Sequence, residues 1–440
     1  MEKISETKPE GQFKSIIDVS RPEYAGKTVS VRGWVHRERG SNERKFLVLR
    51  DSTGLIQCII EKADVGEALF GQADKVQVEA SMELTGTLRE DKRSPTGFEL
   101  AVKEFSIIGE SHEFPIGKDL SEDFLLDVRH LWVRSTKMTN VWKIRSTIFN
   151  SINDFYRKEG YYYVHAPFLV QTSESGLEMF QVDYFGEKLR LSQTAQFYLE
   201  TMLPGLEKVY TIGPSFRAEK SKTSRHLTEY WHTEAEAAWM DLDGLAKHVE
   251  SLVSYLAQEV ADKNKKELKD LGRDYKLLEN IKAPFPRITY DKALEMLGQD
   301  GMQVKWGKDL RTPEEKQITT HFDKPVIVTH YPKDIMAFYK PKDPNNPKVA
   351  RCLDVLAPEV GFEIIGGSER SLDIEEMKET IIKQKDDPAN YEWYFDLRKY
   401  GAVPHAGFGL GTDRIVQWFC GLDSIKDAIP FPRTMARCKP

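Results

Sequence analysis

The stretch GPSFRAEKSKTSRHLTEYWHTEAE, residues 213–236, concentrates side chains that bind charge. Read with the two-residue period of a strand, Ser215, Arg217 and Glu219 share one face of a first strand, and Tyr230, His232, Glu234 and Glu236 share one face of a second. The opposite face carries Phe216 and Ala218, then Trp231, Thr233, Ala235 and Ala237, which suits packing on a core. The loop between them supplies Lys220, Lys222, Arg225 and His226. A floor of carboxylates and one arginine, closed by a cationic loop, can bind a zwitterion and a polyphosphate together through charge-assisted hydrogen bonds. Taken alone, the stretch also reads as a solvated charged hairpin.

Two further segments carry matching chemistry. Residues 350–370 put Asp354 and Glu363 on what read as adjacent strands, followed by Gly366, Gly367 and Arg370. Two such carboxylates can hold a hard cation when a polyphosphate supplies the other oxygens, and they also read as ordinary surface acids. Residues 400–411 are glycine-rich, and residues 412–421 read as an apolar helix with Arg414 in its first turn. The helix dipole disfavours a cation there, so Arg414 needs an anion, either Asp413 or a ligand phosphate. The glycines let backbone and ligand come close. GFGLG lacks the G-x-G-x-x-G spacing of a dinucleotide site, and no strand-helix-strand unit surrounds it.

The elements that must position these groups follow from length and pattern. A chain of 440 residues is too long for one ordinary core, so two domains, or one with a large insertion, are expected. Hydrophobic residues at 40% and charged residues at 30% are an ordinary soluble composition. No apolar run approaches the ~18 residues of a membrane span, and MEKISETKPEGQ resembles no export or transit signal. A cytoplasmic protein with no membrane partner is expected. Cys58, Cys352, Cys420 and Cys438 show no zinc-ligand spacing. The net charge of −6 restricts any nucleic-acid site to a local basic patch.

Residues 1–13 are a polar tail. Residues 14–109 read as five short strands, at 27–37, 45–50, 54–61, 76–89 and 97–108, with a short helix at 62–72. That order suggests a small closed barrel of the oligonucleotide-binding (OB) kind. Arg37, Arg39, Arg44 and Lys45 give it a basic cluster. Phe46 and Gln57, on successive strands, can face outward together, a stacking platform beside an amide that reads a base edge; equally, Phe46 can belong to the barrel core. Residues 110–135 form a polar hinge, and the remainder, 136–440, a second domain. There Ile144, Ile148, Ile152 and Phe155 recur at helical spacing. Residues 161–170 are strand-like but contain Pro167, which confines them to a sheet edge or a subunit contact. Residues 242–348 read as an insertion beginning with a helix at about 243–265.

These motifs resemble a known family. FRAE with RHL and EY, then GFGLGTDR with PFPR, resemble motifs two and three of class II aminoacyl-tRNA synthetases, and Pro167 after its helix resembles the dimer-forming motif one. The N-terminal barrel resembles the anticodon-binding domain of the subgroup for aspartate, asparagine and lysine. The implied fold is α+β: an OB-fold β-barrel, then a class II catalytic domain on an antiparallel sheet flanked by helices. DVLAPE, EIIGGS and AIPFPR resemble the asparagine members. Where aspartate enzymes have Gln-Ser-Pro-Gln-x-x-Lys, this chain has Gln193 to Leu199, without the lysine. A buried carboxylate left unpaired costs about 3–5 kcal/mol, whereas a neutral amide tolerates Leu199. Glu234 or Glu200, with Glu234 preferred, would accept from the amide nitrogen and repel aspartate. An aspartate enzyme, including one that charges both tRNAs, is the alternative.

The resemblance implies ligation of L-asparagine to tRNA(Asn) through an asparaginyl-adenylate, with ATP consumed, Mg2+ as cofactor and a homodimer as the assembly. Arg217 would hold the substrate carboxylate and α-phosphate, with Glu219 at the adenine side. Tyr230 would stack on the adenine ring, and Arg414, near Gly411, would cover its other face and reach the γ-phosphate. Arg225 and His226 would grip the distal phosphates, and Asp354 and Glu363 the metal. The amino acid would meet Glu174, Gln193, Gln196, Glu234 and Arg370. Phe46, Gln57 and Arg37 would read the anticodon. Two more residues separate Asp354 from Glu363 than in bacterial aspartate enzymes. Thr412 stands where relatives usually have an aliphatic residue.

Overall fold

A computed structural model describes residues 12–94, 96–117, 120–172, 178–220 and 226–440, in two compact units, Met1–Leu125 and Leu126–Pro440.

In the first unit, β1 (Thr28–Gly40), β2 (Arg44–Arg50), β3 (Leu55–Glu61), β4 (Ser81–Glu90) and β5 (Phe98–Gly109) close a barrel in the order β1-β2-β3-β5-β4. Strict alternation sends Leu47, Leu49, Ile56, Cys58 and Ile60 inward, all essentially without exposure. Short helices Lys62–Val65 and Glu67–Asp74 link β3 to β4. Strand β4 begins at Ser81, not at 76: Val76 and Ala80 tuck into the core as a turn, and between them Glu79 takes a positive φ of 72° and an ion pair with Arg50 at 2.9 Å.

The second unit contributes β6 (Tyr162–Tyr163), β7 (Leu169–Val170), β8 (Gln181–Tyr184), β9 (Glu187–Leu191), β10 (Lys208–Phe216), β11 (Glu229–Ala238), β12 (Arg287–Thr289), β13 (Val326–Thr329), β14 (Cys352–Ala357), β15 (Phe362–Glu369) and β16 (His405–Gly411). Eight of them form one sheet in the order β12-β13-β14-β15-β16-β11-β10-β6. The pairs at the two ends are parallel and those between are antiparallel. Strands β7, β9 and β8 form a small separate sheet. The strand-like stretch around Pro167 is therefore split: β6 is an edge strand of the large sheet, β7 belongs to the small sheet, and Pro167 lies between them outside either ladder.

Helix Thr136–Lys158 is capped by Ser135, whose hydroxyl accepts from the Met138 N–H at 3.3 Å. It buries Ile144, Ile148 and Ile152 completely and packs on helix Leu242–Lys263. Ala235 and Ala237 of β11 join that core. The alternate residues of the same strand are left to the opposite face of the sheet, which carries the cavities described below. Residues 242–348 are more than an insertion: β12 and β13 extend the sheet, with Val328 opposite Asp354. Among the described residues, no helix is long and apolar enough to cross a membrane.

Candidate active site

Two adjoining cavities open on the face of β10, β11, β15 and β16. The first is lined by Arg217, His226, Tyr230, Gly411 and Arg414. The second, about 380 Å³, is lined by Gln193, Gln196, Glu234, Lys340, Asp354 and Arg370. Arg217, His232, Glu363 and Gly409 belong to both. Arg217 follows the end of β10 and is anchored by its own N–H donating to Thr228 O at 2.9 Å. Its guanidinium lies 5.3 Å from the centre of the Tyr230 ring, and its Nε is buried with no partner among the described residues. Tyr230, then Glu363 and Glu219, raise the Arg217 pKa further. Glu219 itself lines neither cavity. Glu174 and Arg225 lie outside the described residues, as does Lys222.

Alternate glycines on β16 make this arrangement possible. Gly407 lies opposite Glu236, and Gly409 opposite Glu234, in the β11 register. A Cβ on Gly407 would stand 2.1 Å from the Glu236 carboxyl carbon, and one on Gly409 would stand 2.4 Å from His232 Nε2. The bare strand thus admits protein side chains as well as a ligand.

The protein anion facing Arg414 is Glu363 and not Asp413. Arg414 Nη1 donates to the backbone oxygen of Glu363 at 2.6 Å and lies 3.4 Å from its carboxylate. Asp413 turns the other way, to Arg145 and to the N–H of Trp231 at 2.8 Å. Burial pushes the Asp413 carboxyl up, against the pull of Arg145. Thr412 gains an account: its hydroxyl meets that of Thr233 at 2.9 Å, and both are fully buried. This pair pins helix Thr412–Cys420 to β11.

Asp354 and Glu363 converge. A bulge between Val355 and Leu356 breaks the β14–β15 register, so Asp354 pairs with Gly366 and Leu356 pairs with Glu363. The extra residue turns Glu363 to the side of Asp354. A Cβ on Gly366 would stand 2.7 Å from a Glu363 oxygen and 3.5 Å from an Asp354 oxygen. Burial, then the Glu363 charge, holds the Asp354 carboxyl well above the usual carboxylate range. Two acids that repel each other over a bare glycine are a donor set suited to a hard divalent cation completed by phosphate oxygens.

The lining of the second cavity differs from expectation in three ways. Leu199 does not face it, but is buried with Leu203 and Val209 in a small apolar cluster. Glu200 does not line it either, and both its oxygens are engaged elsewhere. Lys340, from the 242–348 segment, does line it, with its ammonium 3.5 Å from Met336 Sδ and its charge felt by Asp354 and Glu363. Sequence periodicity gave no sign of Lys340, or of Asp309 beside it, because both reach the cavity from a distant segment. Glu234 accepts from the Thr194 hydroxyl at 2.5 Å and the Ala195 N–H at 2.7 Å, and its other oxygen lies 2.7 Å from His232 Nδ1. Gln193 Nε2 donates to Glu178 O at 3.3 Å. Arg370 Nε faces both oxygens of Glu236, at 3.2 and 3.1 Å.

On the barrel, Phe46 faces outward, excluded from the core. Its neighbour Val48 pairs with both Gln57 and Arg37, so Arg37, Phe46 and Gln57 share one outer face. The Arg39 guanidinium lies 4.9 Å from the centre of the Phe46 ring. Gln57 Nε2 donates to Glu99 Oε2 at 3.2 Å, a partner on β5 that sequence reading missed.

Comparison with known proteins agrees with both units. The family described as tRNA synthetases class II (D, K and N) matches residues 121–435, and the OB-fold nucleic acid binding domain matches residues 29–108. The asparagine–tRNA ligase of Thermoplasma acidophilum is 50% identical, over 97% of this chain and 100% of that protein. The asparagine–tRNA ligase of Thermococcus gammatolerans is 44% identical, over 96% and 98% respectively. The crystal structure of asparaginyl-tRNA synthetase from Pyrococcus horikoshii complexed with asparaginyl-adenylate superposes with a TM-score of 0.94 at 44% identity, covering 97% of this chain and 99% of that one. An α+β chain with an OB-fold barrel, a catalytic sheet and likenesses of this length belongs to the class II aminoacyl-tRNA synthetases, in the asparagine–tRNA ligase family.

Proposed function

We propose that the enzyme joins L-asparagine to ATP as asparaginyl-adenylate, releasing pyrophosphate, and then transfers the acyl group to tRNA(Asn), releasing AMP. The observation that carries this reading is the position of Arg217, which is shared by both cavities and has a buried Nε donor without an acceptor among the described residues. A planar guanidinium there spans the attacking carboxylate and the α-phosphate, bringing the reacting atoms together and neutralising charge. No covalent enzyme nucleophile is needed.

In the first cavity, Tyr230 and Arg414 bracket the adenine, with Gly411 alongside and Glu219 at its edge. His226 and Arg225 hold the distal phosphates. Asp354 and Glu363 would hold Mg2+, which supplies charge neutralisation at the phosphates. In the second cavity, Glu174 and Gln193 meet the α-ammonium, while Gln196, Glu234 and Arg370 face the side-chain amide. On the barrel, taken as residues 14–109, Phe46 stacks on an anticodon base, Arg37 meets phosphate and Gln57 reads an edge. Glu99 fixes the Gln57 amide, leaving its carbonyl oxygen toward the base.

The chain works as a homodimer in the cytoplasm, the catalytic domain spanning 136–440 after a hinge at 110–135. Support for the dimer comes from edge strand β6, whose Tyr162 and Tyr163 are exposed beside exposed Phe168, an apolar edge of the kind that partners cover. ATP–pyrophosphate exchange with each amino acid is the test: asparagine stimulates it, and exchange stimulated by aspartate alone overturns the assignment.

A further inference from the structure

Behind Arg370 stands a second carboxylate that lines neither substrate cavity. Glu200, on helix Gln196–Leu206, has a fully buried side chain. Its Oε1 accepts from Gln196 Nε2 at 3.0 Å and from the Tyr394 hydroxyl at 2.7 Å. Its Oε2 accepts from Arg398 Nη2 at 2.6 Å and lies 3.0 Å from His405 Nε2. Arg370 Nε is 3.9 Å from Oε1. Burial pushes the Glu200 pKa up, but Arg398, His405 and Arg370 outweigh it and hold the group below the ordinary carboxylate range.

Arg370 therefore lies between two anions. Glu236 grips it on one side, Glu200 stands behind it, and Ser368 Oγ accepts from Nη1 at 2.8 Å. Its single positive charge is already met by protein carboxylates before any substrate arrives. Glu234, on the same cavity wall, adds a further anion. An asparagine side chain asks Arg370 only for an N–H donor to its carbonyl oxygen. An aspartate side chain asks for a free positive charge, which Arg370 no longer offers; Lys340, on the wall of the same cavity, has its charge engaged by Asp354 and Glu363, and Glu234 repels a second carboxylate. Glu200 also holds the nitrogen end of the Gln196 amide, a cavity wall, turned away from the substrate.

We propose that Glu200 is a specificity-determining positioning residue: by occupying the charge of Arg370 and the orientation of Gln196, it makes the cavity accept a neutral amide and reject a carboxylate. The inference rests on the asparagine reading above and deepens it. A purely structural role, stapling its helix to β16 and to helix Glu392–Lys399, would change use of both amino acids alike.

The test compares kcat/KM in ATP–pyrophosphate exchange with asparagine and with aspartate, in wild type, Glu200→Gln, Glu200→Asp and Tyr394→Phe, with thermal unfolding alongside. Glu200→Gln keeps the shape and removes the charge, and should raise the aspartate-to-asparagine ratio at least about tenfold. Glu200→Asp restores the charge and should bring the ratio back toward wild type. Tyr394→Phe removes a hydrogen bond to the same carboxylate without changing its charge, and should leave the ratio within about twofold of wild type. If Glu200→Gln does not fold, the double variant Glu200→Gln/Arg398→Gln, which leaves neither partner buried alone, should shift the ratio in the same direction. An unchanged ratio in the folded charge-removing variant overturns the proposal. A wild type that exchanges with aspartate and not asparagine would instead overturn the underlying assignment.

Discussion

Arg145 and Asp413, far apart in the chain, form a buried ion pair that ties helix Thr136–Lys158 to the first turn of helix Thr412–Cys420. Arg145 also donates to Ala428 O at 2.8 Å, and Asp413 accepts from the Trp231 N–H. The pair thus sets the helix on which Arg414 stands. Arg145→Met leaves Asp413 buried without its cation and should cost about 3–5 kcal/mol, read as a lower urea midpoint. Wild-type stability in this variant would mean the pair contributes nothing net.

Arg217→Ala should lower asparagine-dependent pyrophosphate exchange roughly a hundredfold to a thousandfold, the usual loss when a positioned transition-state donor is removed. The anticodon barrel folds on a separate core, so tRNA binding should stay close to wild type. Retained exchange would remove Arg217 from the mechanism.

Gly407→Ala drives a methyl group into the Glu236 carboxylate and so loosens the clamp on Arg370. Overpacking of this kind costs about 1–3 kcal/mol, and the KM for asparagine should rise while the KM for ATP changes little. Equal changes in both constants would argue against a local effect.

Phe46→Ala should weaken charging of tRNA by about 1–3 kcal/mol in kcat/KM, the worth of one stacked base, with exchange in the absence of tRNA untouched. Gln57→Ala should act in the same direction. Loss of exchange in either variant would place the residues in the wrong process.

His248 packs against the rings of Phe155, Tyr161 and Phe408, with a buried Nε2 that has no partner among the described residues. Burial, aided by Lys208, lowers its pKa to about 4. The unfolded imidazole takes up a proton near its ordinary pKa of about 6.5, whereas the folded one resists. Stability from this group is therefore complete above pH ~6.5 and is lost as pH falls toward 4, by up to about 3 kcal/mol. His248→Phe removes the proton uptake, so its stability relative to wild type should rise over that interval in urea titrations. A constant difference would show that the ring titrates alike in both states.

What the sequence revealed, and what it hid, divides by range of contact. Alternation along 229–238 put Glu234 and Glu236 opposite Ala235 and Ala237, and the structure keeps that division. The spacing of Ile144, Ile148 and Ile152 gave their helix, and the outward Phe46 was one of two legible choices. Lys340, Arg145 and the surroundings of Glu200 were not legible, because each depends on segments that meet only after folding and leave no local period. Arg414 was correctly seen to need an anion, but its partner, Glu363, comes from a neighbouring strand that no motif links to it.

The irregularity between Val355 and Leu356 carries a consequence for comparing chains. What matters for the paired acids is parity, not distance along the backbone. A hairpin that grows by two residues at its tip returns both carboxylates to the same side, whereas growth by one requires another bulge to compensate. The wider separation of Asp354 from Glu363 is therefore compatible with an intact cation cradle, and counting residues between acids misjudges what the pleat preserves.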